Sequence, residues 1–364
     1  MIKLNAGLCI RSLSLESQCN KCEVACPTQA LVIGDNPLPS LNIAACVGCG
    51  ACVGVCPTEA LEVEGFDTKE FFFNFMEDEE NLLSCRKNLP CIAALSVEEI
   101  ISMALLKKEI VFDMGHCSSC AIAPKCQQQI ENNYEEASYI LEAVESDASI
   151  LLQNIAYEAK ESSTPDRRAF LESINLKNIA KAKKSLEYEV QKASDELLEH
   201  TLEKKDIALL KKKLIPDRRK ILFSAFKRIS KPSVFHTIDA NEVTFTSQKI
   251  MNEESCTACQ MCYRVCPTGA LTSDIKNSKI DFDPFLCVKC NLCHDVCEPN
   301  ALSLSNVYSV KEFFEPEVLN LIRFSVKRCD ECNMIFSSNN AEDKLCKRCQ
   351  IEEDEAKALW GIEE

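Results

Sequence analysis

Cysteine sets this chain apart: it supplies 25 of 364 residues, and most of them fall into ordered runs. Cys256, Cys259, Cys262 and Cys266 precede Pro267, and Cys287, Cys290, Cys293 and Cys297 precede Glu298-Pro299. Cys46, Cys49, Cys52 and Cys56 repeat the pattern ahead of Pro57. Each of these runs reads C-x2-C-x2-C-x3-C, which offers three thiolates from one turn of chain to one face of an iron–sulfur cubane. A further run is irregular. Cys19, Cys22 and Cys26 lie ahead of Pro27, but Glu16 stands where a leading cysteine belongs. Cys9 is the candidate to replace it, reaching back over a short loop; without it the run would suit a three-iron cluster or an open iron site. Disulfides are the weaker reading, because they suit small secreted scaffolds and no signal peptide is visible. Zinc prefers two separated pairs to runs of four.

The runs resemble those of bacterial-type dicluster ferredoxins, over roughly residues 1–64 and 236–310. The residues after each fourth cysteine carry the resemblance further: Pro-Thr-Gln-Ala-Leu, Pro-Thr-Glu-Ala-Leu, Pro-Thr-Gly-Ala-Leu and Glu-Pro-Asn-Ala-Leu are internal repeats. In that family the fourth cysteine of each run crosses to the other cluster of the pair. The resemblance therefore implies four [4Fe–4S] clusters. Cys256, Cys259, Cys262 and Cys297 would hold one, and Cys287, Cys290, Cys293 and Cys266 its neighbour. Cys46, Cys49 and Cys52 would join Cys26, leaving Cys19, Cys22 and Cys56 to be completed by Cys9.

The tail has a different signature. Cys329-x2-Cys332 and Cys346-x2-Cys349 are two knuckles suited to a zinc ribbon, each offering two thiolates to a tetrahedral ion. A rubredoxin-like iron or free thiols are the alternatives. No open catalytic position is evident there.

The elements that must position these groups are legible in part. Residues 66–159 are acidic and hold Cys85, Cys91, Cys117, Cys120 and Cys126. A strand through Leu82-Leu83-Ser84 and a helix from Ser96 are expected, with Ser96-Val97-Glu98-Glu99 as a capping box. A strand at Ile110-Val111-Phe112-Asp113 and a helix through Ile130, Tyr134, Ala137, Ile140 and Leu141 complete an α/β pattern. This order resembles the small delta subunit of methyl-viologen-reducing hydrogenases, which implies one [2Fe–2S] cluster on Cys85, Cys91, Cys117 and Cys120. A redox-active Cys117/Cys120 dithiol and buried structural thiols are the competing readings, with His116 as a supporting donor. Residues 160–231 are basic. Ile179, Ala182, Leu186, Val190, Ala193 and Leu197 recur at helical spacing, and Ile207, Leu210 and Leu214 continue the stripe. Thr164-Pro165-Asp166-Arg167-Arg168 and Ile215-Pro216-Asp217-Arg218-Arg219 read as two helix starts. A helical spacer with a solvated basic face is expected; docking onto the acidic segment or an acidic partner is the sharper alternative.

The expected fold class is α+β and multidomain. It comprises a dicluster ferredoxin-like module (1–65), a cysteine-containing α/β insert (66–159), a helical basic linker (160–235), a second dicluster module (236–310) and a zinc-ribbon tail (311–364).

Composition then narrows function. The net charge of −15 argues against a nucleic-acid partner, since phosphate binding needs a positive field. No apolar stretch approaches the roughly 20 residues of a membrane span, so no direct membrane insertion is expected. Met1-Ile2-Lys3-Leu4 leads straight into the cysteine runs, and Arg167-Arg168 has no apolar segment after it, so no targeting segment is read. The many free thiols point to a cytoplasmic location. Gly48, Gly50 and Gly54 lie among the cysteines rather than in a strand–helix unit, and only nine glycines exist in all, which disfavours bound NAD or flavin. No hydrolytic triad or P-loop is visible, so the reading is an electron carrier or electron-transfer subunit rather than an enzyme. It would relay single electrons to or from a redox partner, such as a molybdopterin enzyme or a hydrogenase. An accessory role in metalloenzyme maturation and a cluster-based redox sensor are the alternatives.

Overall fold

The structure, a computed structural model, describes residues 1–156, 197–198, 200–340 and 342–361. The chain divides into two compact units, Met1–Ser12 with Asn20–Leu209 and Leu13–Cys19 with Leu210–Glu364.

In the first unit the N-terminal strand Ile2–Leu4 pairs antiparallel with Leu61–Val63, Ile2 opposite Val63. An inner hairpin pairs Leu31–Val32 with Ser40–Asn42. Two short helices, Lys21–Ala25 and Ala51–Val55, carry the cysteine runs between these strands. Ile2, Leu31, Leu41, Ala60 and Leu61 fill the core between them.

The inner hairpin gains a third strand, Leu197–Leu198, beside Ser40–Asn42. This corrects the helical stripe, which ended on Leu197. Leu41 and Asn42 offer an open strand edge, and ladder hydrogen bonds to it outweigh a local spacing pattern. Ile179, Ala182, Leu186, Val190 and Ala193, and the helix start at Thr164–Arg168, lie outside the described residues.

The acidic segment builds a parallel sheet in the order Leu82–Leu83, Glu109–Asp113, Ser149–Gln153. Helices Val97–Lys107 and Ala123–Ala143 make the crossovers that parallel strands require. The first of these starts in the capping box read from the sequence. Ser96 Oγ accepts from the Glu99 N–H, and the Glu99 carboxylate accepts from the Ser96 N–H at 2.8 Å. Ile110 and Phe112 are fully buried in the central strand, as a sheet covered by helices demands. Ile130, Ala137, Ile140 and Leu141 form the buried face of the second helix.

The second unit repeats the module. Lys249–Met251 pairs with Leu302–Leu304, and Leu271–Thr272 pairs with Lys279–Phe282. The register repeats too: Lys249 stands opposite Leu304 as Ile2 stands opposite Val63. Here the third strand of the inner sheet is Leu319–Arg323, from the range read as tail.

The helix start at Pro216 is present, with the helix running from Asp217 to Phe226. Its first two arginines are not solvated although Lys220 is, which corrects the spacer reading for this helix. Arg218 and Arg219 are buried, and Arg219 lies between the rings of Phe245 and Phe285. It donates to the carbonyls of both residues. The aliphatic side of this helix meets an aromatic cluster, with Phe226 stacked on Phe313 at 4.8 Å. Burying the guanidinium is tolerated because carbonyls and ring faces replace its water. The apolar stripe does not continue either. Helix Lys204–Leu210 buries Asp206 while Ile207 is exposed, and Leu214 lies beyond it, also exposed.

The tail forms a hairpin, Ser325–Arg328 with Ile335–Ser338, followed by helix Lys347–Trp360. Among the described residues no helix is long and apolar enough to cross a membrane.

Candidate metal centres

The regular runs share a backbone device. The chain turns left-handed on both sides of each middle cysteine: at Gly48 and Gly50 around Cys49, at Ala258 and Gln260 around Cys259, and at Lys289 and Asn291 around Cys290. Two left-handed residues in three curl the loop so that successive thiols face one concavity. Glycine does this freely, whereas the side-chain-bearing residues of the second module do so at a cost of about 1 kcal/mol each. In the irregular run Asn20 keeps φ at −133°, so the loop there is not curled in this way.

The post-cysteine repeats have a structural purpose as well. Gln29, Glu59, Gly269 and Asn300 are all left-handed, with φ between 51° and 74°. The turn aims a following N–H at the cysteine sulfur. Ala30 donates to Cys26 Sγ at 3.2 Å, Ala60 to Cys56 Sγ at 3.3 Å and Ala301 to Cys297 Sγ at 3.3 Å. In the remaining repeat Leu271 donates to Cys266 Sγ at 3.5 Å. Such N–H···S bonds stabilise thiolate and shift the potential of anything bound to it.

Each module brings distant cysteines to a common cavity. In the first, a small cavity is lined by Cys26, Cys46, Cys49 and Cys52. In the second, one is lined by Cys266, Cys287, Cys290 and Cys293. Another is lined by Cys256, Cys259, Cys262 and Cys297. The rest of the lining is mostly apolar, with Thr28 in the first module and Lys249, Thr268 and Asn291 in the corresponding cavity of the second as polar members. Burial, then the neighbouring thiols, push Cys262 up to about 12. Burial pushes Cys293 up to about 11 against the opposing pull of Lys249. Four sulfurs that cannot ionise together unaided suit a polycationic centre, which offsets their charge. Cys9 and Cys22 pack against the core that contains Cys56, and Cys19 ends the segment grouped with the second unit.

The two modules differ beside these cavities. Ile2 lines the first module's cavity, and Lys249, its counterpart in register, lines the corresponding cavity of the second. Lys249 is only 6% exposed, and its Nζ donates to His294 Nε2 at 2.8 Å. Burial opposes the lysine charge, but the thiols of Cys287, Cys293 and Cys290 outweigh it and raise its pKa. Burial, with the lysine charge behind it, brings His294 down to about 4, so the ring is neutral. Sequence reading passed over this pair; a charge at an inward strand position was the available signal.

In the insert, Cys85 follows the first strand, Cys91 opens the turn Ile92–Ala94, and Cys117 and Cys120 bracket a turn after the central strand. They lie close enough to act on one another. Burial pushes Cys117 up to about 11, and Cys91, Cys85, Cys120 and Asp113 add to it. Arg86 reaches His116 Nδ1 at 3.2 Å. Cys126, buried in the first turn of its helix, hydrogen-bonds Cys91 and also Cys49 of the module. It lowers both and brings Cys49 down to about 6. The sequence held no sign that Cys126 joins these two groups.

The tail site is tighter. The sulfurs of Cys329, Cys332, Cys346 and Cys349 all lie within 4.8 Å of one another, with Cys332 and Cys346 at 3.7 Å. A tetrahedron with metal–sulfur bonds of about 2.3 Å has edges of about 3.8 Å, so one ion fits. Among the described residues no other group of three or more Cys, His, Asp or Glu is this compact. That contrast is expected, because a cubane seats each thiolate on a different iron and so holds them further apart. Burial opposes ionisation of Cys329, but N–H groups of Cys332, Cys346 and Glu331 outweigh it and hold it below the usual thiol range.

Comparison with known families agrees with this geometry. A 4Fe-4S dicluster domain matches residues 17–60, and a 4Fe-4S binding domain matches residues 249–272. The chain is thus a tandem ferredoxin-like iron–sulfur protein with a further four-cysteine metal site. No curated protein and no solved structure matches it, and nothing supports the resemblance of the insert to a hydrogenase delta subunit.

Proposed function

We propose that this protein carries single electrons to or from a partner oxidoreductase through four [4Fe–4S] centres. The observation that carries this reading is the set of cavities in which four cysteines from two runs converge. Cys26, Cys46, Cys49 and Cys52 serve one centre, Cys266, Cys287, Cys290 and Cys293 a second, and Cys256, Cys259, Cys262 and Cys297 a third. Cys9, Cys19, Cys22 and Cys56 serve the fourth, for which the packing of Cys9 and Cys22 on the core around Cys56 is the support. When bound, these clusters supply one-electron redox capacity; the chain supplies thiolates, N–H···S bonds and a mostly apolar wall. Cys85, Cys91, Cys117 and Cys120 hold a [2Fe–2S] centre, and Cys126 links it to Cys49. Zinc occupies the tail site, where it closes the ribbon and takes no part in electron flow.

Iron, acid-labile sulfide and zinc are measured per chain on anaerobically purified protein. Four cubanes predict about 16 iron, and a two-iron centre in the insert raises this to about 18, with one zinc. Cys290→Ser should cost about four iron or convert one centre to a three-iron form visible by EPR. Iron below about 12, with zinc filling the runs, would sink the electron-carrier reading.

A further inference from the structure

The corresponding cavities of the two modules share their cysteine, Pro-Thr and Ala-Leu lining, but only the second has a charged residue in its wall. Where the first module has Ile2 and, just after its third cysteine, Val53, the second has Lys249 and His294. Val53 and Ile2 are buried hydrocarbon. Lys249 is equally buried but brings an ammonium into the wall of the cavity that Cys287, Cys290 and Cys293 line. Its Nζ is held from behind by His294 Nε2 at 2.8 Å; an ammonium can only donate, so the imidazole accepts from the lysine. A buried lysine so braced is oriented, not adventitious.

We propose that the Lys249–His294 pair sets the reduction potential of the centre held by Cys266, Cys287, Cys290 and Cys293 above that of its counterpart at Cys26, Cys46, Cys49 and Cys52. Lys249 is a positioning charge, and the pair makes the second module the electron sink of the chain. The step is the transfer of one electron from a low-potential donor, which is oxidised, into the cavity. No bond forms or breaks, and Lys249 keeps its protons. Reduction leaves one more negative charge among four buried thiolates. A buried ammonium in the cavity wall stabilises that extra charge far more than water-exposed lysine would. Ile2 and Val53 provide no such offset, so the same electron costs more in the first module. Outer residues of this kind are an established lever on metal-centre potentials.

This inference rests on the iron–sulfur reading above, and the test separates the two. The full chain and its Lys249→Met and Lys249→Arg variants are purified anaerobically, assayed for iron and sulfide, and titrated potentiometrically with EPR of the reduced centres. Cys290→Ser marks which signal belongs to the cavity beside Lys249. The expected result is unchanged iron, with that one midpoint moved to more negative potential by Lys249→Met, left near wild type by Lys249→Arg, and every other midpoint fixed. Unchanged midpoints with full iron overturn the proposal. So does an arginine shift as large as the methionine shift, because contact rather than charge would then be responsible. If Lys249→Met loses iron, Lys249→Gln takes its place; loss of iron in both neutral variants assigns Lys249 to assembly and likewise overturns the tuning role. Absence of iron from the wild-type chain would instead refute the carrier function itself.

Discussion

The two ferredoxin-like modules share a register, a loop curl and a set of N–H···S bonds, yet they are braced by unlike neighbours. The first leans on the α/β insert. Gly50 and Gly54 let helix Ala51–Val55 come against Ala93 and Ala94 so closely that side chains there would collide. Gln129 bridges the two by donating to the carbonyls of Ala51 and Ala93 at 3.0 and 2.8 Å. The second module leans on helix Asp217–Phe226, through the buried Arg219 and a stack of phenylalanines. Cysteine spacing dictates where the thiols go; what surrounds them comes from segments far away in sequence. Equal ligand sets can therefore be held with different firmness and at different energies.

Gly54→Ala attacks the first brace and should have the largest effect. Its methyl would run into the Ala93 carbonyl and lie 2.9 Å from that of Leu95, and neither backbone can retreat cheaply. Overpacking against backbone costs about 3 kcal/mol. Thermal unfolding with iron release should show the first module losing its iron early while the second retains it. Equal loss from both modules, or none, would show that the brace does not support the first module selectively.

Arg219→Met is the converse experiment. It keeps the aliphatic stem but leaves the Phe245 and Phe285 carbonyls without their buried donor. Each unpaired carbonyl costs about 1–3 kcal/mol, so a total of about 2–3 kcal/mol is expected once some repacking is allowed. Phe285 lies two residues before Cys287, so iron at the second module should become the labile fraction. A variant that loses first-module iron instead breaks the comparison.

How far the sequence reached follows the same division. Thiol spacing, the repeats after each fourth cysteine and the Ser96–Glu99 capping box are local, and each matches an element found in the structure. The central strand of the insert was legible because Ile110-Val111-Phe112 is a short apolar run between two helical patterns, whereas its parallel pairing and the strand Ser149–Gln153 were not read. Leu197 was misread because its partner Asn42 is far away in sequence, and strand pairing leaves no local trace in a two-residue strand. Arg218 and Arg219 were misread for a related reason. A guanidinium pairs with ring faces and carbonyls that spacing does not display, so its burial depends on Phe245 and Phe285, which lie outside the helix. Lys249 drew no reading from the sequence, because its meaning depends on its counterpart in the first module being Ile2.

The smallest effect separates contact from stability within the first brace. Ser96→Ala removes the cap of helix Val97–Lys107, whose first turn is buried, without touching Gly50, Gly54 or Gln129. Loss of a capping hydroxyl costs about 1 kcal/mol. The insert should unfold at slightly lower temperature or denaturant, read by circular dichroism, with the iron of the first module unchanged at room temperature. Iron retained in Ser96→Ala but lost in Gly54→Ala would assign the support to the close approach of helix Ala51–Val55 to Ala93 and Ala94. Iron lost in both would mean that the first module depends on the global stability of the insert, a dependence the second module, clamped through Arg219, does not share.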